Sequence, residues 1–154
     1  ECRREWADAG MKFDYPAIVR MAESAEVTGA YIDLNDDIFF SPGQMATKVC
    51  EYVREKQGIQ LMTVGEIAAC VYQSMAMSYS RAFEELKKIT GREYKVLQIL
   101  GGGSQNAYLN GIIERKLGIP VLAGSIEASS LGNALGQLVG LGAGSLQSLR
   151  EKIF

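Results

Sequence analysis

A short apolar run that stops at three consecutive glycines and gives way to helical spacing leaves few folds open to a chain. Residues 94–110, YKVLQILGGGSQNAYLN, have this build. Val96, Leu97, Ile99 and Leu100 have the make-up of a buried strand. Gly101, Gly102 and Gly103 end it, and Ser104 stands where a helix N-cap would stand. Ala107, Tyr108, Leu109, Ile112 and Ile113 continue with the period of a helix. Strand, glycine turn and helix in that order also make an anion site. Glycines let a ligand come close to the backbone, and free N–H groups with the positive end of the helix dipole face it. The same residues can equally be a tight βα connection and nothing more. Neither of the two commonest named loops is complete. The last glycine of the dinucleotide fingerprint G-x-G-x-x-G would fall on Asn106, and no Gly-Lys-Ser or Gly-Lys-Thr follows.

Composition excludes several function classes. The 154 residues, 47% of them hydrophobic, suffice for a single domain with its own core. Sixteen Lys and Arg against 18 Asp and Glu, with no basic stretch, argue against nucleic acid or an anionic membrane as partner. The chain has no histidine. Ser-His and Cys-His catalysis are therefore excluded within it, and zinc is disfavoured. Three cysteines, none in a C-x-x-C pair, fit a reducing cytoplasm better than a disulfide framework. No signal peptide is visible, the first residue is Glu1, and residues 1–9 read like the inside of an amphipathic segment. The chain is therefore expected to be a fragment of a longer one.

Before the glycine segment, Asp14 and Tyr15-Pro16 predict a capped helix over about 15–25. Residues 30–34 alternate as a short strand would, and Asn35-Asp36-Asp37 is a turn cluster. Asp36 and Asp37 could hold magnesium, but paired acids in a turn are usually solvated; Ile38, Phe39 and Phe40 then need a buried place. Ser41-Pro42 predicts a helix running to about Lys56 and stopping near Gly58. Thr63 and Glu66 form a capping box at the head of the longest helix, which keeps its period to Thr90 and ends at Gly91. Its Met and Tyr positions read as core.

After the glycine segment, residues 118–124 predict a second short strand, with Pro120 pointing to an early or edge position. Gly132, Gly136 and Gly140 then share one face of a helix, opposed by Leu131, Leu135 and Leu138. Glu127, Asn133 and Gln137 interrupt that stretch, so a membrane span is not expected. The glycines instead predict a close approach to a sheet or another backbone. A last polar helix is expected over about 145–152. The order implies a parallel βαβ unit at 96–122 with helices on its faces. The helices either side of Gly58 should be antiparallel neighbours, which puts Cys50 and Cys70 at one level, either bonded or packed as free thiols, with Cys2 outside any such bond.

LGGGSQNAYLN followed by VLAGSIEASSLGNALGQL resembles the carboxy-terminal domain of the FGGY carbohydrate kinases. LNDDIFFSPGQM and the G-x-x-x-A-x-x-Y-Q-S-M-A pattern of the long helix extend the resemblance from about Asp14 to about Leu141. Within the family, NDDIFFSP and EASSLGN point to the branch that phosphorylates L-rhamnulose. The resemblance implies an α/β fold: a partial actin-like (ribonuclease-H-like) ATPase lobe, helix-rich, with a small parallel βαβ sheet. It also implies that Gly101, Gly102 and Gly103 lie against ATP, with Gln105 and Asn106 bordering the adenosine. The implied reaction moves the ATP γ-phosphate to the 1-hydroxyl of the ketose with Mg2+ present, by positioning and charge stabilisation.

The departures from the family matter as much. No segment resembles its amino-terminal phosphate loop or its catalytic-aspartate motif, and the first strands of the carboxy-terminal lobe are missing. The sugar and the catalytic aspartate would sit on the absent amino-terminal lobe, so the chain alone should be inactive. Its unpaired strand edge predicts dimers, or helices folded over it. Two other readings stand beside this one. One is a dinucleotide-binding unit of an oxidoreductase, although no acid ends the strand at Leu122. The other is a non-catalytic interaction domain whose glycines only make turns.

Overall fold

The computed structural model describes residues 1–25 and 29–151. Seven helices and two short strands follow in order: α1 (Cys2–Asp8), α2 (Tyr15–Ser24), α3 (Met45–Gln57), α4 (Val64–Thr90), β1 (Leu97–Ile99), α5 (Ala107–Leu117), β2 (Val121–Ala123), α6 (Ala128–Gly140) and α7 (Leu146–Arg150). The architecture is α/β and helix-rich, with one two-stranded parallel sheet that pairs Leu97 with Val121 and Ile99 with Ala123. No helix among the described residues is long and apolar enough to cross a membrane.

The spine is α4, 27 residues and so ~40 Å long. Its start is chemically explicit. The Thr63 hydroxyl accepts from the Glu66 N–H, while the Glu66 carboxylate accepts from the N–H groups of Met62 (2.7 Å) and Thr63 (2.8 Å). These bonds hold the Glu66 carboxyl below the usual carboxylate range. Gly91, in the left-handed region at φ 65°, ends the helix.

Two apolar clusters flank this spine. The amino-terminal half of α4 (Ile67, Ala68, Ala69, Cys70) joins Trp6, Ile18, Ala22, Ile32, Val49 and Val53. Ala76, further along, joins Leu109, Ile112 and Ile113 of α5, with Leu97, Ile99 and Val121 of the sheet packed against them. Tyr72 of α4 and Tyr108 of α5 meet edge to face at 5.9 Å, where the clusters adjoin. Such a pair is worth ~0.5–1.5 kcal/mol beyond its buried area. In the carboxy-terminal third of α4 Phe83 stays buried while Tyr79, Leu86 and Ile89 are exposed; for Tyr79 this departs from the expectation that the Met and Tyr positions of the helix are core.

Other expectations fail for identifiable reasons. Residues 30–34 do alternate, with Ala30 and Ile32 buried and Tyr31 exposed, yet they form no strand. Their backbone is claimed by side chains instead. Ile32 N–H donates to Ser74 Oγ (2.9 Å), Tyr31 N–H donates to Gln57 Oε1 (3.1 Å), and Gln57 Nε2 donates back to the Tyr31 carbonyl. Ser41-Pro42 does not open α3. That helix starts at Met45, after Gln44 in the left-handed region, and its first amides donate to the Glu5 carboxylate from Met45 N (2.5 Å) and Ala46 N (3.0 Å). Of Ile38, Phe39 and Phe40, only Phe39 is packed, against Tyr52 at 5.4 Å; Phe40 is 70% exposed.

At the other end, β-carbons built on Gly132, Gly136 and Gly140 would meet nothing within 4 Å, so among the described residues no backbone approaches that face. The close approach lies at Gly65, where an added β-carbon would sit 2.5 Å from the Met21 carbonyl oxygen of α2. The last helix ends at Arg150, and Lys152, its expected end, lies outside the described residues. All three cysteines are free. Cys50 and Cys70 pack in one cluster as free thiols, the second of the two expected arrangements, and Cys2, which packs against the same cluster, is unbonded as expected. Burial pushes the Cys70 thiol up to about 11; the Ser74 hydrogen bond opposes that shift and nearby Cys50 adds to it.

Candidate functional site

Both strands end on the same side of the sheet, so the turns after β1 and β2 are neighbours. Ligands of parallel α/β sheets bind at such carboxy ends. Gly101 leaves β1 at φ 80°, ψ −169°, a conformation that needs glycine. Its N–H donates to the Ser125 carbonyl (3.0 Å) in the second turn. Residues Gly102–Gln105 then form a single 3₁₀ turn before α5 begins.

Within that turn the residues divide sharply. Gly102, Gly103 and Gln105 are exposed, whereas Ser104 is 2% exposed. Neither Gly102 nor Gly103 lies in the left-handed region, and a β-carbon on either would meet nothing within 4 Å. Among the described residues their N–H groups meet no backbone acceptor. The fold therefore requires glycine at Gly101 and has no use of its own for the other two.

Ser104 is not the N-cap that its position suggested. Its hydroxyl points inward, 2.7 Å from the Gly101 carbonyl and 3.1 Å from the Gly124 carbonyl. The cap is Asn106, whose Oδ1 accepts from Leu109 N–H at 3.0 Å. Burial pushes the Tyr72 phenol up, and the nearby Asn106 side chain opposes that shift. The Gln105 amide projects from the turn, its nearest partner the Ser104 hydroxyl at 3.5 Å. The structure thus gathers Gly101, Gly102, Gly103, Gln105 and Asn106 into one surface at the head of α5.

One member of this site escaped the sequence reading. Asn110 Nδ2 donates to the Ser104 carbonyl (2.9 Å), and its Oδ1 is buried with no partner among the described residues. The available signal was its place four residues after Asn106, on the same helix face. Beside the turn, a cleft of about 740 Å³ opens between the sheet and α6–α7, lined by Gln98, Leu100, Ser125, Leu131 and Leu135, with Arg150 at its far end. Among the described residues no three His, Cys, Asp or Glu side chains stand together as metal ligands. Asp36 uses its carboxylate to accept from Ile38 N–H, capping the 3₁₀ turn Asp37–Phe39.

Residues 1–141 match the sequence model of the FGGY family of carbohydrate kinases, C-terminal domain. Curated relatives include the rhamnulokinase of Bacteroides thetaiotaomicron, 33% identical over 153 residues, which are 99% of this chain and 31% of that protein. The rhamnulokinase of Mannheimia succiniciproducens is 38% identical over 83% of this chain and 27% of its own length. That of Enterococcus faecalis is 37% identical over 85% of this chain and 27% of its own. The chain thus spans less than a third of the length of these relatives.

Proposed function

The chain belongs to the FGGY family of carbohydrate kinases as a carboxy-terminal domain, and from that premise we propose that it is the nucleotide-holding part of a longer ATP-dependent sugar kinase. The sugar assigned to it is L-rhamnulose, giving L-rhamnulose 1-phosphate, since the relatives above are rhamnulokinases. The enzyme is read as cytoplasmic, and residues 1–154 as one domain.

One observation carries the nucleotide reading. Gly102 and Gly103 leave a flat, open strip of backbone at the head of a helix, and among the described residues their N–H groups meet no backbone acceptor and no packing calls for glycine there. A flat ligand bearing anionic groups fits such a strip, because no side chain blocks it and the helix dipole favours negative charge. ATP, when bound, supplies the phosphoryl group. The chain's own part is to hold and orient: Gly101 sets the bend, the Gly102 and Gly103 amides face the nucleotide, and Gln105 and Asn106 border the adenosine. Mg2+ would arrive with the nucleotide, since these residues offer it no carboxylate cluster. Positioning of this kind is the greater part of catalysis in phosphoryl transfer.

The outer edges of the two strands have no partner among the described residues, and Val96, Leu100 and Leu122 are about half exposed. In the whole enzyme the remaining polypeptide would cover this surface. In the isolated chain a second copy would, because unpaired apolar strands associate.

The test is Gly102→Val in the full-length enzyme. The structure gives the valine room, so folding should be intact. The KM for ATP should rise by about tenfold or more while the KM for the sugar stays put. Equal changes in both constants would remove the glycine turn from the nucleotide site.

A further inference from the structure

Beneath the open glycine strip the two neighbouring turns are latched together. Gly101 N–H donates to the Ser125 carbonyl, Gly124 N–H donates to the Ile99 carbonyl (2.8 Å), and the Ser104 hydroxyl stands between the carbonyls of Gly101 and Gly124. From the other side Asn110 Nδ2 holds the Ser104 carbonyl. We infer that Ser104 and Asn110 are positioning residues that fix the glycine turn in the shape a nucleotide requires, an inference that rests on the reading above.

The argument turns on what Asn110 forfeits. Its Oδ1 is buried without a partner among the described residues, and turning the amide over would set that oxygen against the Ser104 carbonyl. The orphan acceptor therefore comes with the latch and cannot be relieved while the latch holds. An apolar side chain of the same size would remove that orphan but bare the part-buried Ser104 carbonyl in its place, so the amide's net contribution is the bond to the turn. A residue whose one bond restrains an exposed turn, while its own second polar atom goes unpaired, serves the turn rather than the core. Ser104 repeats the pattern: it alone of the turn is buried, and its hydroxyl ties the turn to the neighbouring loop instead of capping α5. Neither side chain lies on the open strip. They support the groups that do, as an outer layer of hydrogen bonds keeps a binding surface preorganised.

The experiment uses the full-length enzyme with ATP as the probe, read by calorimetric titration, by the KM for the sugar and by thermal unfolding. Asn110→Leu, which exchanges one unpaired acceptor for another, should melt near the parent temperature yet bind ATP about tenfold more weakly, with the sugar KM within about twofold. Ser104→Ala should weaken ATP to a similar extent with a modest fall in melting temperature. Unchanged ATP affinity in both variants would overturn the inference. So would an Asn110→Leu enzyme that melts lower and loses ATP and sugar affinity alike, since that marks an ordinary packing residue. Should Gly102→Val weaken ATP while these two do not, the latch fails and the nucleotide reading survives. An enzyme that binds no ATP at all refutes both.

Discussion

Replacing Gly65 by alanine sets two known effects against each other. Alanine is the better helix former by about 1 kcal/mol in a helix interior, and by less in a first turn, where Gly65 sits. Against that, the new β-carbon would lie 2.5 Å from the Met21 carbonyl oxygen and 3.0 Å from its carbon. A carbon–oxygen contact settles near 3.3 Å, so α2 and α4 must part by roughly 0.8 Å. The clash is with backbone, which no rotamer change relieves. Overpacking of this kind costs ~1–3 kcal/mol. The net loss is then about 1–2 kcal/mol, which lowers the melting temperature of a domain this size by about 2–8 °C. Gly132→Ala is the natural comparison, because its β-carbon would meet nothing within 4 Å. In the 154-residue chain it should gain up to about 1 kcal/mol, or ~2–4 °C. Thermal unfolding by circular dichroism at matched concentration measures both. A Gly65→Ala chain that melts at or above the parent would refute the backbone contact, and shifts of the same sign in both variants would refute the contrast.

Three further outcomes are expected. Glu66 has its carboxyl held low by two backbone amides, so its contribution is present above the ordinary value of 4.5 and is lost as pH falls through the lower folded value. The gap in melting temperature between the parent and Glu66→Gln should thus be widest at neutral pH and close in acid; a gap constant with pH would deny the charge a role. Cys70, buried and shifted to about 11, should resist alkylation at pH 8 in the native chain and react on unfolding, while an equal native rate with Cys50 would contradict its burial. Its linkage runs the other way: stability is full below 9 and falls as pH rises towards 11. Asn106→Asp keeps the oxygen that caps α5 but loses the amide donors, so ATP binding should weaken with no change in melting temperature. A collapse in stability with binding intact would leave Asn106 as a cap only.

What the sequence disclosed was what neighbouring residues decide among themselves. The capping box at Thr63 and Glu66, the stops at Gly58 and Gly91, and the step from β1 through the glycines into α5 all depend on residues a few positions apart. The misreadings share a different cause. Residues 30–34 carry a strand's alternation, but Ser74 and Gln57, far along the chain, take their hydrogen bonds. The glycine triplet on α6 looked like the close-packing face because its spacing is regular, whereas the actual approach falls on the single Gly65. At the site, the exposed glycines were legible from composition. The inward turn of Ser104 was not, since it depends on Gly124 arriving from the next strand.

The bond between Glu5 and the first amides of α3 spans forty residues of chain. A helix normally carries its own start signal, and α3 instead borrows one from α1. Its opening turn is thus conditional, formed only once α1 has docked with Trp6 in the core. In a chain emerging from the ribosome, α1 is made first and waits for α3, so the cap is in place before the helix that needs it. The amide protons of Met45 and Ala46 should exchange with solvent in step with the undocking of α1, which makes them reporters for an element in which they do not lie.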